Sequence, residues 1–207
     1  MKTLNNSKYK LLLFVFAIAL TSHSCTKNGS ESVEGHVLEY GTNKPIPNAT
    51  VYLMEVKGTF LGPSGSSKID STTSDHEGRY KFTYMDNPYV SEIRGKANLY
   101  YDNHAYIMGT GKKLKTDLKL DPHAWLRLKI NAPYRDVFQF VIHTFGCNPR
   151  EFLIHDGEKS AETLCLLKGN RENRVEFNIG IYGGNNINEI IKPYLPALDT
   201  TTIELNY

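Results

Sequence analysis

The chain has 207 residues, 40% hydrophobic and 11% aromatic, which is enough for one large or two small packed domains and too apolar for a disordered chain. Its formal charge of +2 comes from 24 basic and 22 acidic residues, and three of those bases, Lys2, Lys8 and Lys10, fall within the first 24 residues, which hold no acid. Beyond residue 24 this leaves 21 basic against 22 acidic residues, so nucleic-acid binding loses its electrostatic support.

Behind the three lysines runs Leu11-Leu12-Leu13-Phe14-Val15-Phe16-Ala17-Ile18-Ala19-Leu20, followed by Thr21-Ser22-His23-Ser24-Cys25. About ten apolar residues at about 1.5 Å each cannot cross a hydrocarbon core of roughly 30 Å, so the run reads as a signal-peptide core. The junction resembles the lipobox of bacterial lipoproteins, with Ser22 where leucine is usual. The resemblance implies loss of residues 1–24, a diacylglycerol on the Cys25 sulfur, a further acyl chain such as palmitate on its nitrogen, and attachment to the bacterial outer membrane. The alternative is ordinary secretory cleavage that leaves Cys25 free. Residues 25–32 read as a flexible tether without the acidic run that sends some lipoproteins to the cell surface. Periplasmic and surface faces both stay open.

The next elements are strands. Val33 to Val37 leads through the turn residues Gly41 to Ala49 into Thr50-Val51-Tyr52-Leu53-Met54. Lys57 to Asp70 is crowded with glycine, serine and proline, which predicts the longest loop of this half. Asp75-His76-Glu77-Gly78 then makes a turn. Asp75 can accept a backbone hydrogen bond two residues on, and Gly78 can adopt a positive φ. In Arg79-Tyr80-Lys81-Phe82-Thr83-Tyr84 the aromatics recur at every second residue, which puts Tyr80, Phe82 and Tyr84 on one buried face. Further strands are predicted over residues 89–100, interrupted at Gly95, over His104 to Met108, and over Leu114 to Leu120. This arrangement resembles the carboxypeptidase regulatory-like domain, a transthyretin-like (prealbumin-type) β-sandwich common in bacterial envelope proteins. The resemblance implies a sandwich over residues 33–121, usually without catalysis.

Asp121-Pro122 breaks the alternation and marks a boundary with a very short linker. Residues 122–207 offer strands at 125–130, 137–144, 152–154, 162–167, 174–182 and 200–206, and a helical turn within 187–195. Short strands divided by turns predict a second sandwich. The expected fold is therefore all-β, two small antiparallel β-sandwiches in tandem after a signal peptide and tether. Once Cys25 is assigned to lipid, Cys147 and Cys165 remain. They are either a disulfide, as an exported chain allows, or two buried thiols.

No phosphate loop, dinucleotide fingerprint, zinc spacing or hydrolase elbow is present in the sequence, which predicts neither cofactor nor metal. Asp70, Asp75 and Glu77 could ligate calcium, although a turn accounts for them more simply. Among thirteen tyrosines, Tyr100, Tyr101 and Tyr106 are candidate binding aromatics for a glycan, against the simpler reading that they cap the core. The expected function is a non-catalytic, lipid-anchored envelope module for a protein partner or glycan. The alternative is a polysaccharide hydrolase using a carboxylate pair such as Asp75 and Glu77.

Overall fold

A computed structural model describes residues 30–59, 62–85, 90–107, 113–131, 137–148, 150–153, 160–181, 183–184 and 186–207. The predicted signal segment and Cys25 lie outside them. The described residues form β-strands and no helix.

In the first half the strands are β1 (Ser30–Glu39), β2 (Thr50–Thr59), β3 (Gly62–Thr73), β4 (Arg79–Met85), β5 (Val90–Lys96), β6 (Asn103–Tyr106), β7 (Lys113–Lys115) and β8 (Leu118–Leu120). One sheet has the order β4-β1-β7, with β8 also on β1, and the other has the order β3-β2-β5-β6. Alternation places Val33 and Val37 of β1, Tyr80 and Phe82 of β4, and Leu118 and Leu120 of β8 in a core shared with Val51, Leu53 and Ile93 of the facing sheet.

In the second half the strands are β9 (His123–Asn131), β10 (Val137–Ile142), β11 (Cys147–Asn148), β12 (Glu151–Leu153), β13 (Ser160–Lys168), β14 (Arg171–Glu172), β15 (Val175–Ile181), β16 (Ile187–Ile191), β17 (Tyr194–Leu195) and β18 (Thr200–Asn206). Its sheets have the orders β11-β13-β9-β18 and β12-β10-β15-β16, with β14 and β17 as a separate pair. Leu126, Leu128 and Ile130 of β9 face Phe140 and Phe177, whose rings stack with centroids 4.8 Å apart.

The two halves share one topology. In each, the first strand is flanked by an antiparallel fourth strand and a parallel last strand: β4 and β7/β8 around β1, β13 and β18 around β9. In each, the second sheet runs third-second-fifth-sixth, once β11, β14 and β17 are set aside. The sheets are thus mixed and not purely antiparallel.

Several local expectations are corrected. The predicted loop from Lys57 to Asp70 is a hairpin, because β2 pairs with β3 from Thr50↔Thr73 out to Thr59↔Gly62. Its glycines and serines supply the backbone hydrogen bonds of that ladder as well as larger residues would, and among the described residues β2 also pairs with β5 as far as Glu55↔Val90. Residues 187–195 form β16 and β17 instead of a helical turn, since β15 offers a free edge to Ile187–Ile191. The tether is shorter than predicted, because Ser30 to Ser32 already pair with β4. The single strand expected from Leu114 to Leu120 is divided at Thr116-Asp117. There Gly35 admits the Thr116 carbonyl, which a Cβ at residue 35 would meet at 1.9 Å. The carbonyl accepts a hydrogen bond from the Tyr80 hydroxyl.

Candidate functional site

An open cleft of about 760 Å³ lies over β1, β4 and β7. Its residues come from the wet positions of the same alternation that buries the core. Glu34 on β1 stands opposite Lys81 on β4 and opposite Lys115 on β7, giving a row of base, acid and base across three strands. Among the described residues none of these three side chains has an ion-pair or hydrogen-bond partner. One row further along, the His36 backbone N–H donates to Asp117 Oδ1 at 2.9 Å, and its ring Nδ1 lies 3.3 Å from the same oxygen.

Asp75 borders this cleft as part of a turn. Its Oδ1 accepts from the backbone N–H of Glu77 (2.9 Å) and of Arg79 (2.8 Å), and Gly78 closes the turn at φ 74°. The Arg79 N–H is the largest cause holding the Asp75 carboxyl below its ordinary value. Glu77 is ion-paired with Arg79. The two carboxylates thus serve one turn and one surface pair. Asp70 accepts from the N–H of Ser71 (2.7 Å), and the described residues contain no cluster of three or more metal-ligating side chains.

The candidate aromatics are not brought together as a platform. The Tyr100 hydroxyl donates to Glu39 Oε2 at 2.9 Å, and its pKa is pushed up to about 12 by burial and by that carboxylate. The Tyr101 hydroxyl donates to the Leu166 carbonyl in the second half at 3.2 Å. Tyr106 is 57% exposed, edge-on to His104.

Tyr100 and Tyr101 belong instead to a polar seam between the halves. Asn170 Nδ2 donates to Glu39 Oε1 (3.1 Å) and to the Tyr40 carbonyl (3.0 Å), while Glu39 also accepts from Thr42 Oγ1 (2.7 Å). Asp121, 7% exposed, pairs with Lys168 at 2.8 Å and with Arg171. The Arg171 guanidinium lies 4.0 Å from the Tyr40 ring centroid, and its buried Nε has no acceptor among the described residues. The linker backbone is clamped as well. The His123 N–H donates to Leu99 O, and Leu198 N–H donates to His123 O, both at 2.8 Å. Leu99 and Leu198 adopt left-handed φ values of 62° and 56°, an unfavourable conformation for leucine that the clamp holds in place. In the amino-acid sequence only the short Asp121-Pro122 linker hints at this seam.

Cys147 and Cys165 face each other in register on β11 and β13 and form a disulfide, with Cα atoms 3.8 Å apart and both residues buried.

No family model matches the chain, and no curated protein matches it. Among solved structures it is similar to the Bacillus anthracis TIE protein (13% identity, TM-score 0.34), covering 86% of this chain and 33% of that one. It is similar to a streptococcal ancillary pilin (9%, 0.34), covering 87% of this chain and 63% of that one. A DUF3823 family protein from Bacteroides uniformis gives 12% and 0.32, covering 81% of this chain and all of that one. The chain therefore spans about a third of the first and under two thirds of the second. Likenesses this remote carry no functional argument.

Proposed function

We propose that the chain is a non-catalytic, lipid-anchored protein of the bacterial cell envelope, whose two stiffly joined β-sandwiches act as a binding or structural accessory module for a protein or glycan. The observation that carries this reading is the seam. Charged and aromatic side chains from both halves are spent on holding one sandwich against the other, where Glu39, Asp121, Asn170 and Arg171 meet. A stiff join suits a spacer or platform. The hydrolase alternative needs two carboxyl groups flanking a substrate, one of them held protonated by a raised pKa. Asp75 and Glu77 do not supply that pair, since Asp75 is shifted downward and held by its turn, and Glu77 is paired with Arg79.

The anchor comes from the Cys25 junction alone. Metabolic labelling of the full chain with a palmitate analogue is expected to mark the wild type and spare Cys25→Ala. Equal labelling of both would remove the anchor from the proposal.

A further inference from the structure

The outer faces of the two first-strand sheets carry inverted charge patterns. On the first half, the central row reads Lys81, Glu34, Lys115 across β4, β1 and β7. On the second half, the topologically equivalent row reads Glu162, Lys129, Glu204 across β13, β9 and β18. The side chains of the second row are 50%, 41% and 59% exposed. Each row spans two interstrand spacings, so the outer charges in both are separated by roughly 10 Å. We propose that these two faces are an interaction surface on which the first sandwich of one copy docks against the second sandwich of another.

The pattern selects its partner. Laid against itself, the first row puts lysine on lysine and glutamate on glutamate. Laid against the second row of another copy, both lysines meet glutamates and Glu34 meets Lys129, whichever end of the row comes first. With the strands aligned in the same direction, the neighbouring row Arg79, His36, Asp117 falls on Ser160, Asn131, Asn206, which are polar and uncharged. The opposite direction would set His36 against Arg127. The existing pairs Lys129–Glu204 (3.8 Å) and Arg127–Glu162 (3.4 Å) are exposed and weak, and do not hold those glutamates back. Because the two docking faces are different, the contact is head-to-tail and, repeated, builds open chains of copies or rings where its rotation closes.

The inference rests on the accessory reading only for its choice of a protein partner, and it is tested apart from the anchor. The experiment is sedimentation equilibrium of the full chain in density-matched detergent, using wild type, K81E/K115E and E162K/E204K. The wild type is expected to form species larger than a dimer at about 50 mM salt, with at least tenfold weaker association at about 500 mM. Each variant alone is expected to stay monomeric, because each then sets like charges face to face, and to melt only a few degrees lower, because three like charges then also stand side by side on one sheet. Mixing the two variants restores association, since three acids then face three bases. Cys25→Ala self-associates like the wild type, so a failed acyl label does not mimic failed docking. A wild type that stays monomeric up to about 200 µM, variants that associate as the wild type does, or a mixture that stays monomeric would each overturn the proposal.

Discussion

Asp121→Asn is the sharpest probe of the seam, because it removes a charge while keeping the side chain's shape. The carboxylate is nearly buried and holds Lys168 at 2.8 Å and Arg171. Hydrogen bonds to a charged group are worth about 1.5 to 3 kcal/mol, and leaving a buried partner unmatched adds to the loss. Lys168 is 46% exposed and regains water, whereas Arg171 at 31% is held over Tyr40 and regains less. Discounting the lysine leaves a destabilisation of about 2 kcal/mol. For a chain of this size that lowers the melting temperature by about 4 to 8 °C. Calorimetry of the full chain should show one cooperative transition in the wild type and two separated transitions in the variant, because the halves have separate cores and share this seam. A double-mutant cycle with Arg171→Met should return a coupling of at least about 1 kcal/mol. A shift below about 1 °C, or strict additivity with Arg171→Met, would refute the claim that Asp121 and Arg171 act together.

Tyr100 has a folded-state pKa pushed up to about 12, above the ordinary value of 10.0, so its stabilising effect is complete below pH 10 and is lost as pH rises toward 12. Absorbance titration at about 295 nm should find one tyrosine fewer ionising near pH 12 in Tyr100→Phe; an unchanged alkaline titration would contradict a Tyr100 held up by burial and the Glu39 bond. Reducing the Cys147–Cys165 disulfide opens a loop with a sequence separation of 18 and should cost about 3 kcal/mol, lowering the melting temperature by about 6 to 12 °C. Two titratable thiols in unreduced, denatured protein would contradict the pairing. Gly35→Ala drives a Cβ into the Thr116 carbonyl and should destabilise by about 2 to 4 kcal/mol in urea titration. A loss under about 0.5 kcal/mol would show that the carbonyl moves freely there.

Local chemistry was legible and distant pairing was not. The Tyr80-Phe82-Tyr84 alternation and the Asp75-Gly78 turn are decided within a few residues, and the structure contains both. The strand at Thr200–Asn206 matches its predicted bounds for the same reason. The β2–β3 pairing departs from the loop expected there because glycines and serines disfavour a packed strand, yet they still supply the backbone hydrogen bonds of the ladder. The residues lining the cleft were visible as the polar half of each alternation, but an alternation says nothing about which strands are neighbours. The row of Lys81, Glu34 and Lys115 exists only because β7 returns parallel to β1. The seam was hidden for a similar reason, since Asn170 and Glu39 are 131 residues apart.

The parallel return also decides how the halves follow one another. A strand entering at one end of a sheet, with the last strand beside it and parallel to it, makes the chain leave at the opposite end. In the first half the chain enters at Ser30 and leaves at Leu120, which lies in register with Glu39 at the far end of β1. The ten residues of β1 carry it roughly 33 Å in that passage. At that far end Asp121 and Pro122 lead directly into β9, and the second half repeats the geometry, with Asn206 in register with Asn131. Two antiparallel outer strands would have returned the chain to its starting end and stacked the halves side by side. Here each half instead advances the chain by one sandwich length, so the seam forms at an end where backbone turns and loops are exposed. Such ends offer unpaired carbonyls and N–H groups in place of a continuous apolar face. That is why the join is built from Glu39, Asp121, Asn170 and Arg171 and not from leucines.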